Sequence, residues 1–210
     1  MKSPPSVSPE QERAWIDAAR GGSQDAFEAL VHLYEKKVFA LTSRLCGDPE
    51  DAREAAQEAF LAAWQGLPFF RGDASFATWL YRLTHNACMD LLRREQRHSA
   101  AAGPSLDDEE TTFEVSDPGE GPQEAAERAE LRQAIQRGLQ TLPEGYRTAL
   151  VLRELHQLSY DEIAQTTDTD LGTVKSRINR GRKLLRKFLV ENGNFSPPQP
   201  SNHTEKEGCK

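Results

Sequence analysis

Seven cations and no acid lie between Leu171 and Val190: Lys175, Arg177, Arg180, Arg182, Lys183, Arg186 and Lys187. At 100° per residue, Val174, Ile178, Gly181, Leu185 and Phe188 fall on one stripe of a helix. Ser176, Asn179, Arg180, Lys183 and Lys187 lie opposite, with Lys175 and Arg186 on one flank. Arg177, on the other flank, borders the apolar stripe, a place for a structural or phosphate-contacting arginine. Lysine and arginine neutralise phosphates, while serine, asparagine and arginine can bond base edges. A charge run alone would equally describe the solvated face of an ordinary bundle helix.

The residues before this helix favour nucleic acid. Ser159 and Glu162 have the spacing of a capping box, and Leu158 and Ile163 can form its hydrophobic staple. They predict a short helix near 160–166. Thr167-Asp168-Thr169 reads as a tight turn, and Asp168 tolerates a left-handed backbone. Asp170 can cap the basic helix, which runs to about Val190. Short helix, turn and basic helix describe a helix-turn-helix suited to the major groove. Its candidate contacts are Thr173, Lys175, Ser176, Asn179, Arg180 and Lys183.

A second set of residues suits unpaired bases. Phe69, Phe70, Phe76, Trp79 and Tyr81 are interleaved with Arg71, Arg82, Arg93, Arg94 and Arg97. Bases stack on aromatic rings for about 1–3 kcal/mol each. Phe76, Leu80, Leu83, Ala87 and Leu91 make a core stripe, which assigns Phe76, and Trp79 beside it, to packing. Phe70, in a loop from Gly66 to Gly72, is the better base contact.

Other chemistry finds no support. There is no phosphate-binding loop, no dinucleotide turn and no nucleophile with a base. His85 and Cys88 are three apart on a helix, but no second pair has metal-ligand spacing. No enzyme, metal or cofactor is expected.

The positioning elements are helical throughout. Ser8-Pro9 starts a helix that stops at Gly21-Gly22. A second, near 24–45, carries Phe27, Leu30, Val31, Tyr34, Val38, Leu41 and Leu45 at helical steps. Asp48-Pro49 starts a third that ends near Gly66; a fourth runs from Asp73 or Ser75 to about Arg97. The third puts Asp51, Glu54 and Glu58 on one face, opposite Ala56, Phe60, Ala63 and Trp64. Spacing alone reads that acidic face as solvated.

The 210 residues carry a net charge of −7, an argument against nucleic acid if the chain were uniform. It is not uniform. From His98 to Glu127 stand nine acids and no cation, with Gly-Pro and Pro-Gly pairs and few large apolar residues. Such a segment buries too little to offset its ordering entropy and reads as a linker. Without it the remainder is slightly basic, at +2. The expected organisation is two small helical domains, 9–97 and 124–190, an acidic linker at 98–123 and a disordered tail at 191–210. No apolar run reaches the roughly 18–20 residues of a membrane helix, and no secretory signal opens the chain. Three widely spaced cysteines suggest no disulfide framework and fit a reducing, cytoplasmic setting. A flexible linker would also permit a closed arrangement that hides the basic helix.

Both helical parts resemble one family. Leu142-Pro143-Glu144, Leu152-Arg153-Glu154-Leu155, Leu158 to Ala164 and Gly172-Thr173-Val174-Lys175-Ser176-Arg177 resemble region four of extracytoplasmic-function sigma factors, group IV of the bacterial RNA polymerase sigma factors. Gln57-Glu58-Ala59-Phe60, Trp64, Phe70-Arg71-Gly72-Asp73, Phe76 to Arg82, Asn86 and Asp90 to Arg94 resemble region two.

The resemblance implies an all-α protein that binds core RNA polymerase, directs it to promoter DNA and helps open the strands. Region four would dock the minus-thirty-five element. Region two would hold the melted minus-ten strand through Phe70, Arg71, Arg82, Asn86, Arg93 and Arg94, with Asn86 bonding a flipped base. Asp51, Glu54, Gln57 and Glu58 would then meet a basic coiled coil of the polymerase. The linker would thread the RNA exit path, and an anti-sigma factor would hold the free protein. Pro68-Phe69 departs in the loop where members differ in promoter preference, so specificity does not transfer. The alternatives are a stand-alone helix-turn-helix regulator and a helical protein that sequesters a partner without binding DNA.

Overall fold

A computed structural model describes residues 7–102 and 122–192, without the side chains of 98–102 and 122–125. The described residues form α1 (Pro9–Arg20), α2 (Gln24–Cys46), α3 (Pro49–Gly66), a 3₁₀ turn (Leu67–Phe69), α4 (Phe76–Ala102), α5 (Pro122–Gln140), α6 (Glu144–Glu154), α7 (Tyr160–Thr167) and α8 (Leu171–Glu191). No strand occurs among them. Most of the linker and tail expected from sequence, Cys209 included, lies outside the described residues.

Local chemistry explains the helix starts. The Ser8 hydroxyl accepts from Gln11 N at 3.2 Å, and Pro9 opens α1. Asp48 accepts from Glu50 N at 2.7 Å and Asp51 N at 3.1 Å, ahead of Pro49. α2 buries Leu30, Tyr34, Val38, Leu41 and Leu45, following its periodicity. α3 departs in detail: its innermost row is Ala52, Ala55, Ala59 and Ala63, with Phe60 and Trp64 half-buried at the flanks. Small side chains there let α3 pack closely against both α2 and α4.

α4 runs past Arg97 and is buried on two faces. Phe76 and Leu80 join Leu30, Tyr34, Val38 and Leu67 in one core. Tyr81, Cys88 and Met89 join Leu41 and Leu45 in a second core. That second core continues into Leu139, Leu142, Ala149 to Leu152, Leu158, Ile163, Val174 and Ile178. The two halves of the chain are therefore packed together. Within the C-terminal half, α8 crosses α6 closely at Gly181, where a Cβ would stand 3.3 Å from the Tyr146 carbonyl oxygen.

Polar contacts edge the seam. Gln136 accepts from Arg44 Nη1 at 2.7 Å and donates to the Ser43 carbonyl at 2.8 Å. Gln140 donates to the Arg44 carbonyl at 3.1 Å, and Arg147 to the Leu45 carbonyl at 2.6 Å. Thr78 donates to Glu162 at 2.9 Å, and the Tyr81 and His156 rings meet at 4.6 Å between centroids. A closed arrangement that hides the basic helix is only half of what is found. The halves close, but Lys175, Ser176, Asn179, Arg180 and Lys183 remain exposed. The seam is built from α5, α6 and α7, so α8 keeps its polar face outward.

Candidate nucleic-acid interface

The helix-turn-helix is set by its caps. The Ser159 hydroxyl accepts from Glu162 N at 3.2 Å, and Glu162 accepts from Ser159 N at 2.8 Å. These bonds hold the Glu162 carboxyl below the ordinary carboxylate range. Leu158 and Ile163 are buried beneath them. Asp168 closes α7 in the left-handed region at φ 50°. The Asp170 carboxylate accepts from Thr173 N at 2.8 Å and from the Thr173 hydroxyl, which lowers its pKa. The start of α8, whose first two turns carry Thr173, Lys175 and Ser176, is thus fixed in direction.

On α8 the buried residues are Val174, Ile178, Gly181 and Leu189; Leu185 and Phe188 are half-buried. The outward face has two kinds of cation. Arg182 is bonded to Glu154 at 2.9 and 2.5 Å, and Lys187 lies 3.7 Å from Glu191. Lys175 and Lys183 are exposed and have no ion-pair partner among the described residues. Among the described residues, Arg180 donates to the Tyr146 hydroxyl, at 3.5 Å. Arg177 is half-buried against α6, where a side chain on Gly145 would meet its guanidinium at 3.1 Å. Its flank position allowed a structural or a phosphate-contacting role, and this contact with α6 is compatible with both. Nothing in the sequence spacing pointed to Tyr146 or Gly145.

The second set divides. Phe70, Arg71 and Arg82 line one cavity of about 460 Å³ with Phe69, Asp73, Thr78 and Trp79. Phe70 and Trp79 stack at 5.0 Å, both half-buried, while Phe69 is 82% exposed. Arg71 and Arg82 are exposed and make no ion pair among the described residues. Asn86, Arg93 and Arg94 are exposed farther along α4 and do not line this cavity. Arg93 pairs with Asp90 at 3.2 Å, and Arg94 pairs with Glu54. Sequence reasoning also missed the far wall, Gln165, Thr166 and Asp168 from the end of α7. Only the folded chain brings residues so far apart in sequence to one cavity.

The acidic face of α3 is real in placement. Glu54, Gln57 and Glu58 are exposed. Asp51 is half-buried, and burial together with the nearby Glu95 carboxyl pushes its pKa up to about 7. Both causes disfavour the charged form of Asp51. The Cys88 thiol is buried against Cys46, which pushes its pKa far above the usual thiol range. Among the described residues no group of three histidine, cysteine or acid side chains could hold a metal.

Comparison with known proteins agrees with this geometry in both halves. Residues 30–98 match the family model of Sigma-70 region 2, and residues 132–185 that of Sigma-70, region 4. The RNA polymerase sigma-H factor of Pseudomonas aeruginosa is 36% identical over 192 residues, covering 87% of this chain and 96% of its own. The ECF RNA polymerase sigma factor SigW of Bacillus subtilis is 35% identical over 176 residues, covering 83% and 94%. Among solved structures, the sigma factor RpoE in complex with the anti-sigma factor NepR from Bartonella quintana matches with a TM-score of 0.66. It is 21% identical, covers 78% of this chain and 96% of its own, and speaks for the fold.

Fold and matches define a promoter-recognition subunit built from two helical modules: the chain belongs to the sigma-70 family, in its extracytoplasmic-function branch. It is an RNA polymerase sigma factor, directing core polymerase to specific promoters and aiding DNA melting. The two matched regions stand in family order, and they favour this reading over a stand-alone regulator. Family members regulate transcription without being enzymes. No described helix is long and apolar enough to cross a membrane.

Proposed function

We propose a division of labour between named surfaces. The module at 124–190 reads the minus-thirty-five duplex, with Ser176, Asn179 and Arg180 at base edges. Thr173, Lys175 and Lys183 anchor the flanking phosphates. The module at 9–97 takes the melted minus-ten strand at Phe70, Arg71 and Arg82. Asn86, Arg93 and Arg94 extend that path along α4 once Arg94 exchanges Glu54 for phosphate. Glu54, Gln57 and Glu58, with Asp51 at their edge, meet a basic surface of core polymerase. The segment 98–123 joins the two modules. The protein works in the cytoplasm, has no catalytic activity of its own and needs no cofactor. An anti-sigma factor holds it when idle, a reading supported by the fold it shares with RpoE, which was solved in complex with the anti-sigma factor NepR.

The observation that carries this reading is the outward face of α8. It is polar and cationic, capped by Asp170, and exposed among the described residues. Asn179→Ala and Arg180→Ala are expected to relax promoter preference at single positions, each lost base contact costing roughly 1–3 kcal/mol. Run-off transcription from a promoter library with reconstituted polymerase reads this directly. Unchanged preference in both variants would remove Asn179 and Arg180 from the reading face.

A further inference from the structure

The proposed base readers of α8 are not held alike. The Ser176 hydroxyl donates within its own helix, to the Thr173 carbonyl at 3.0 Å. Arg180 is met from another helix: its Nη1 donates to the Tyr146 hydroxyl of α6 at 3.5 Å. Arg180 is exposed, and an exposed arginine samples many rotamers, few of which suit a given base. A fixed acceptor beside the guanidinium narrows that choice before DNA arrives.

The fold around Tyr146 makes it such an acceptor. It stands in the first turn of α6, where its N–H donates to the Pro143 carbonyl at 2.9 Å. Its side chain is half-buried and packs on the core that holds Val174 and Ile178. The ring is rigid and apolar, so packing its body sets where its polar tip emerges. Gly181, next to Arg180, permits the close approach of α8. A Cβ there would stand 3.3 Å from the Tyr146 carbonyl oxygen and 3.6 Å from the Tyr146 Cβ. Gly145 leaves room for Arg177 in the same way, so one turn of α6 seats two arginines of α8. A guanidinium has five N–H donors. The bond to Tyr146 uses Nη1 and leaves Nε and Nη2 for the paired acceptors of a base edge.

We propose that Tyr146 is a positioning residue for promoter readout: its hydroxyl holds the Arg180 guanidinium on the outer face of α8, ready for one base pair. This inference deepens the reading of Arg180 as a base contact and rests on it. The bond is long, so Tyr146 supplies only a fraction of the preference that Arg180 supplies. It acts through Arg180, and therefore at the same base pair.

The test compares Tyr146→Phe, Arg180→Ala and the double variant with the wild type, each a full chain assembled with core RNA polymerase. The templates are a promoter library randomised across the minus-thirty-five region, each with a transcribed barcode, and run-off transcripts are sequenced. Urea unfolding of each chain reports stability. Arg180→Ala is expected to lower preference at one or two base pairs by roughly fivefold or more. Tyr146→Phe is expected to lower it at those same base pairs by roughly two- to fourfold, with other positions and the urea midpoint unchanged. The double variant should match Arg180→Ala. Wild-type preference in Tyr146→Phe beside a loss in Arg180→Ala overturns the proposal. So does a loss spread evenly over all positions, or one that persists in the Arg180→Ala background, since Tyr146 would then support the fold or touch DNA itself. No loss in Arg180→Ala removes the base-contact reading, and the positioning role with it.

Discussion

The face of α8 and the cavity beside α4 carry similar chemistry, cations beside groups that can contact bases, but they are built differently. On α8 every contact comes from one helix whose start is fixed by Asp170 and whose back is fixed by Val174 and Ile178. The cavity draws on a 3₁₀ turn, a loop, α4 and the end of a helix from the other half. A single-helix surface is preorganised by local bonds and packing. A composite surface depends on how large pieces sit together, and so it can be regulated.

The largest expected effect tests whether the two surfaces rest on separable supports. Ile178 is fully buried beneath the α8 face, and Ile178→Ala is expected to cost about 2–5 kcal/mol. Trp15, Trp64 and Trp79 all lie in the N-terminal half; Trp79 also faces the end of α7 across the cavity, and Trp15 and Trp64 do not line it, so the fluorescence is weighted toward that half. Urea unfolding should show the loss in circular dichroism, with the tryptophan transition moving much less. Both signals moving in step would make the halves one cooperative unit and contradict the contrast.

A smaller effect is expected at the cap. Asp170→Ala should cost about 0.5–2 kcal/mol and loosen the first turn of α8. Hydrogen exchange at the amides of Thr173 to Ser176 should quicken, while the loop at 70–75 is unchanged. Duplex affinity should fall and single-strand affinity should not. If exchange in that turn is unaltered, Asp170 does not organise the reading face.

How much was legible from sequence follows the same division. The capping box at Ser159 and Glu162, the left-handed Asp168 and the apolar stripe of α8 are local patterns, and each stands where spacing put it. The acidic total of the chain was informative only once its charges were placed. Long-range features were not legible. The second buried face of α4, at Tyr81, Cys88 and Met89, exists because another half packs there. The same is true of the Thr78–Glu162 bond, whose glutamate already had a sufficient local role as a cap. The Arg94–Glu54 pair was not legible either, because it depends on how α4 lies against α3.

The smallest expected effect concerns the third surface, the acidic face of α3. The folded pKa of Asp51, about 7, lies above its ordinary value of 3.8, so the folded chain holds this proton more tightly than the unfolded one. Its contribution to stability is fully present below about pH 4 and is lost as pH rises toward 7. Asp51→Asn should remove that part of the pH dependence and stabilise the protein modestly at pH 8. Thermal melts of both proteins from pH 4 to 8 measure it. Parallel curves would show that burial and Glu95 do not raise the pKa of Asp51.

Addition of the purified chain to core RNA polymerase on a promoter library, read by run-off transcripts and by permanganate footprinting of open strands, tests the central claim most directly. Transcripts and strand opening from a defined promoter subset, dependent on the chain, are the expected result. Absence of both, with a core enzyme that responds to another sigma factor, would contradict the account.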